Sequence, residues 1–198
     1  MLVSSLAVIA AACGGGDSSQ SDTTTTSSST STSTTTSTTG APAPTTTTQP
    51  GPTTCQTTAL AATISEPDAG AGQRQSTLVF TNNGPVPCTM FGYIGMQLLG
   101  PGNQQIPTNV VRATSIAKTL VTLDPGGGQA FTALQWGVIA SGNEPQDETG
   151  CQPDPSQVAL TPPNEGDSLF QPWPNGPVCN GGRFTIDPMQ PGSGPPAP

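Results

Sequence analysis

Beyond residue 54, short runs of β-branched and apolar residues are separated by clusters of Gly, Pro and Asn at intervals of about ten residues, a spacing that suits a sandwich. Helical periodicity is nowhere sustained. The runs predict strands over residues 57–64, 76–82, 96–99, 105–112, 118–123, 129–138, 157–161 and 183–187. Alternation assigns their inward faces: Leu78 with Phe80, Val121 with Leu123, Leu134 with Trp136 and Val138, Val158 with Leu160, and Phe184 with Ile186. Between strands, Glu66-Pro67-Asp68-Ala69-Gly70, Asn82-Asn83-Gly84-Pro85, Gly100-Pro101-Gly102-Asn103 and Asp124-Pro125-Gly126-Gly127 can each reverse the chain. Pro presets φ there, and Gly or Asn tolerates positive φ. The expected fold is all-β, an antiparallel sandwich of about 7–8 strands with one core.

The preceding residues have a different texture. From Asp17 to Thr54 the chain is almost wholly Ser and Thr, then Pro-bearing, and too poor in apolar side chains to offset the entropy of ordering. Such a tether has a root-mean-square span of roughly 35 Å and stretches beyond about 100 Å. Its Thr/Ser/Pro composition fits an O-glycosylated stalk and a bare linker equally. The expected organisation is a signal peptide over 1–12, a lipidated Cys13 with a disordered linker over 13–54, a β-sandwich domain over 55–188, and a flexible Pro/Gly tail over 189–198.

Charge removes several functions. Acids outnumber bases twelve to four, for a net charge of −8, and Arg74, Arg112, Lys118 and Arg183 are scattered along the chain. No basic footprint for nucleic acid is expected, nor a polybasic hold on anionic lipid. Histidine is absent, so hydrolysis through an imidazole base and His-dependent zinc sites are excluded. No catalytic motif, metal site or cofactor is expected.

Residues 1–12, MLVSSLAVIAAA, form an apolar stretch too short to span about 30 Å of hydrocarbon, and they read as a secretory signal. Ala10-Ala11-Ala12-Cys13-Gly14 resembles the lipobox of bacterial lipoproteins, which implies that Cys13 is acylated and anchors the protein at the outer face of the cell membrane. An ordinary secretory signal is the alternative. No Lys or Arg precedes the apolar run, which leads us to expect a start codon further upstream. With Cys13 assigned to lipid, Cys55, Cys88, Cys151 and Cys179 are an even set in an exported domain, so two disulfides are expected. Three pairings are possible. Cys55–Cys88 with Cys151–Cys179 is favoured, because each pair would flank a strand–turn unit whose ends meet in an antiparallel sheet.

The ordered set Cys55, Phe80-Thr81-Asn82-Asn83-Gly84, Pro87-Cys88-Thr89, Gly92-Tyr93, Leu123-Asp124-Pro125-Gly126-Gly127, Leu134-Gln135-Trp136, Cys151, and Cys179 before Phe184-Thr185-Ile186 resembles an actinobacterial exported domain known as domain of unknown function 4232. The resemblance covers essentially residues 55–188 and implies an immunoglobulin-like sandwich on a secreted or lipid-anchored protein. It implies no activity and no site residues.

Some groups invite a functional reading. Phe170 and Trp173 lie among prolines and are the candidate binding loop, their alternative role being to cap the sandwich as a flap. Glu144, Asp147 and Glu148 lack the spacing of a calcium loop and read as a solvated acidic loop, with paired carboxylates for glycoside hydrolysis as a weaker reading. Met90 and Met96 could offer thioethers to copper but more simply fill gaps in the core. The expected function is a non-catalytic envelope module, held at the membrane through Cys13, that binds an envelope protein, a glycan or a small ligand through loops at one end of the sandwich. A carboxylate-dependent hydrolase and a structural spacer are the alternatives.

Overall fold

The computed structural model describes residues 51–140, 144 and 150–195, so the signal segment, Cys13 and nearly all of the Ser/Thr tract lie outside the described residues. Thirteen strands occur among those described. They are β1 (Thr53–Thr54), β2 (Leu60–Ile64), β3 (Asp68–Gly70), β4 (Gln73–Asn82), β5 (Cys88–Phe91), β6 (Gly95–Leu99) and β7 (Asn109–Arg112). There follow β8 (Leu120–Leu123), β9 (Gly128–Gly137), β10 (Gln157–Thr161), β11 (Leu169–Pro172), β12 (Arg183–Ile186) and β13 (Gln190–Pro191).

The main sheet runs β2-β4-β9-β12-β7, with β3 added on β4 and β13 on β9. Two smaller sheets run β1-β5-β8 and β11-β10-β6. Inward side chains of all three sheets meet in one buried cluster, including Leu78 and Phe80, Leu134 and Trp136, Phe184 and Ile186, Val121 and Leu123, and Val158 and Leu160. The arrangement is all-β and sandwich-like. The alternation seen in the sequence is what creates it, since each apolar member of a pair faces inward while its neighbour faces out.

Four features differ from expectation. Two pairings are parallel, β1 with β5 and β7 with β12. Five short strands (β1, β3, β5, β11 and β13) were not expected; β1, β3 and β13, of two or three residues, carry no periodicity to read. Residues 105–108 form no regular strand although Ile106 is buried. The domain also extends past both expected limits. Thr53 and Thr54 pair with Cys88 and Thr89 ahead of Cys55, and Met189, 0% exposed, packs in the core while Gln190 and Pro191 pair with Phe131 and Ala130. The tail expected over 189–198 therefore opens with a core residue and a strand.

Disulfides join Cys55 to Cys88 and Cys151 to Cys179, with Cα atoms 4.7 and 4.6 Å apart. The first ties the start of the domain to β5. The second ties the loop after β9 to the turn before β12, and this bond shapes the candidate site.

Candidate ligand-binding groove

A cavity of about 490 Å³ opens on the outer face of the main sheet, where β4, β9, β12 and β7 lie side by side. Its floor follows from strand register. Gln73 stands opposite Gly137, Gln135 opposite Thr185, and Arg183 opposite Asn109. These are the outward members of the alternation whose inward members, Trp136 and Phe184, fill the core. Gly137 leaves a gap in the floor: a Cβ there would come within 2.8 Å of the Asn180 Nδ2 and 3.6 Å of the Gln73 Nε2. Two carboxamides thus converge above a residue with no side chain.

The wall is built by the turn Cys179–Gly182. Asn180, Gly181 and Gly182 have φ of 58°, 66° and 73°, a full left-handed turn that only Gly, or Asn at a lower cost than other residues, adopts readily. Gly182 is required twice over, because a Cβ there would lie 1.8 Å from the Pro107 carbonyl oxygen. Two restraints hold this turn. Cys179 anchors one end through its disulfide, and the Gly181 N–H donates to Glu144 Oε1 at 3.1 Å.

Glu144 is 6% exposed, which corrects the expectation of a solvated acidic loop. Its carboxylate is drawn inward because it accepts that backbone N–H and packs within 4.8 Å of the Cys151 and Cys179 sulfurs. Both sulfurs are joined in the disulfide, so the group offers no thiolate to a metal. Asp147 and Glu148 lie outside the described residues.

Chemically, the groove presents the carboxamides of Gln73, Asn109, Gln135 and Asn180, one guanidinium, one hydroxyl and one carboxylate. Each carboxamide both donates and accepts, so the set suits a ligand that does the same. Among the described residues that line it, Glu144 is the sole acid.

At the other end of β4 and β9, where Asn82 stands opposite Gly128, two turns that look separate in sequence prove to be one structure. Asn82, 0% exposed, donates from Nδ2 to the carbonyl oxygens of Val86 and Leu123 and accepts the Gly84 N–H at Oδ1. The Gly126 and Gly127 N–H groups in turn donate to the carbonyl oxygens of Gly84 and Asn82. The Phe80–Gly84 and Leu123–Gly127 segments therefore hold each other in place through these hydrogen bonds. Residues 55–190 match the family described as a domain of unknown function (DUF4232). The chain belongs to this family. No curated protein and no solved structure matches it.

Within this DUF4232 domain the two aromatics of the expected binding loop part company. Phe170 is 58% exposed on β11, the edge strand of its sheet, whereas Trp173 is 3% exposed. Trp173 packs against Trp136 and Phe184 at centroid distances of 5.1 and 5.5 Å, and its Nε1 donates to the Gly176 carbonyl oxygen. It is a core residue, and the loop closes the sandwich as a flap because three large rings bury more apolar surface together than any one could at the surface. Met90 and Met96 are likewise buried in the core, at 1% and 9% exposure. Sequence reading missed the groove entirely. The signal available was the run Cys179-Asn180-Gly181-Gly182 and the outward Gln135 and Thr185 inside motifs noted for their apolar members.

Proposed function

We propose that this DUF4232 domain is a non-catalytic binding module of an actinobacterial cell envelope, carried outside the cytoplasmic membrane on a lipid-modified Cys13, and that it takes a neutral polyhydroxylated ligand, a glycan segment, in the groove above Gly137. The observation that supports it is the lining: four carboxamides, one guanidinium and one carboxylate around an open cavity on a rigid sheet. Sugar hydroxyls both donate and accept, and carboxamides pair with them without the desolvation penalty of a buried charge. Two disulfides fit an oxidising compartment, which supports export.

Hydrolysis gains less support. Glycosidases use two carboxylates facing each other across the bond they break, and the described lining supplies only Glu144, already engaged by Gly181.

The test is titration of envelope-derived oligosaccharides into the disulfide-intact protein beside Asn180→Gly, which removes the carboxamide but keeps the left-handed turn, and Gly137→Val. Both variants are expected to lose binding by about tenfold, the value of one or two hydrogen bonds, while thermal unfolding changes little. Unchanged affinity in both would overturn the groove as the binding site. The anchor is tested separately. Cys13→Ala should move the protein from the membrane fraction to the medium, and retention in the membrane would refute the lipid.

A further inference from the structure

Two of the four cations that look scattered in the sequence meet in space. Arg112, at the end of β7, and Lys118, in the loop before β8, line the same two adjoining lobes around Tyr93, of about 220 and 380 Å³. Each cation is held over an aromatic ring. The Arg112 guanidinium carbon lies 5.4 Å from the Tyr93 ring centroid, and the Lys118 Nζ lies 5.7 Å from that of Phe91. The Lys118 stem also crosses Gly92. Tyr93 is itself fixed, because its hydroxyl donates to the Ala113 carbonyl oxygen.

Charge gives this placement its meaning. In a chain of net charge −8, half of the basic side chains meet here, and no acid lines either lobe among the described residues. Stacking on rings restrains two otherwise flexible side chains without neutralising them, so both charges remain available and less rotamer entropy is lost when an anion binds. Beside them stand apolar groups that the core left out. Phe91 and Leu120 face each other across β5 and β8 at 45% and 66% exposure, and Ile116 is 39% exposed.

We propose that this corner of the domain, bounded by Tyr93, Arg112 and Lys118 and flanked by Phe91, Ile116 and Leu120, binds a phosphate group carried on an apolar body. Two uncompensated cations match the charge of a phosphate monoester better than that of a single carboxylate, and guanidinium takes two phosphate oxygens at once. The apolar flank then receives the organic part of the ligand. An aryl phosphate in solution and the headgroup of a phosphatidic acid in a bilayer share this chemistry.

The experiment measures binding of inorganic phosphate, phenyl phosphate and benzoate to the intact protein by calorimetry, and of phosphatidylcholine vesicles with and without phosphatidic acid by co-sedimentation. Phenyl phosphate is expected to bind more tightly than either inorganic phosphate or benzoate, and its affinity should fall with added salt. Lys118→Gln and Arg112→Gln should each weaken it by about tenfold, the loss of one charge-assisted hydrogen bond, whereas Arg74→Gln on β4 should leave it unchanged. Lys118 is exposed, so its variant folds even if the Arg112 variant does not. Sedimentation that requires phosphatidic acid and Lys118 would assign the lipid source, and phenyl phosphate binding without it would assign a soluble one. Benzoate binding as tightly as phenyl phosphate, or affinity untouched by Lys118→Gln, would overturn the proposal.

Discussion

The protonation of Asp187 is shifted in the fold, and the cause is simple. Partial burial beside β9 removes water from its carboxyl group and raises its pKa above the ordinary aspartate value. The sign follows from linkage. A carboxyl with a raised folded-state pKa binds its proton more tightly in the folded chain, so stability falls as pH rises from the ordinary aspartate value through the raised one, and stays lowered above it. Asp187→Asn should therefore be slightly more stable than the parent at pH 7, with the advantage fading toward pH 3, as measured by urea midpoints. The backbone contacts of this residue survive the change, since the Thr132 hydroxyl donates to its main-chain oxygen and not to its carboxylate. Equal stability at neutral pH would show that the carboxylate is effectively solvated. The same scale shows what motif reading can and cannot reach. Asn82 was recognisable as part of a turn, but not as a buried carboxamide that joins two turns, because its partners Val86 and Leu123 lie four and forty-one residues away.

Among the elements, the left-handed turn Cys179–Gly182 matters most, because it carries Asn180 and Gly181 into the groove. Cys151–Cys179 holds it, over a sequence separation of 28. A double Cys151→Ser, Cys179→Ser variant should lose about 3 kcal/mol of stability on the chain-entropy model, read from denaturant unfolding. It should also lose affinity at the groove well before it unfolds, since the wall is then held only by Glu144 and neighbouring contacts. A variant that unfolds more easily yet binds as before would separate the disulfide from the site. Strand elements were legible where they are long. Gln157–Thr161 and the ten-residue β4 and β9 follow the expected runs closely, whereas Leu169–Pro172 was read as loop. Its Pro172 obscured it, and that proline is tolerated because β11 is an edge strand with one side free of ladder hydrogen bonds.

For the molecule as a whole, the fold closes later in the chain than the sequence suggests. Removing residues 189–198 ought to be harmless if they form a tail, but Met189 is fully buried and its N–H donates to the Gly92 carbonyl oxygen. We expect that deletion to cost about 2–3 kcal/mol, the burial of one large apolar side chain, and to lower the melting temperature by several degrees. A deletion from residue 192 onward serves as the comparison and should preserve stability. What the sequence by itself determined was the all-β class and the alternating inward faces, with three cysteine pairings left open. Those features depend on local periodicity and on the composition of short segments, which are written along the chain. Tertiary structure alone decided which outward positions stand side by side. Gln73, Gln135 and Arg183 converge only because β4, β9 and β12 are neighbours, and Arg112 approaches Lys118 only because two different sheets end near Tyr93. Such adjacency is a property of strand order and register, and a solvent-facing Gln or Arg leaves no periodic mark from which either could be read.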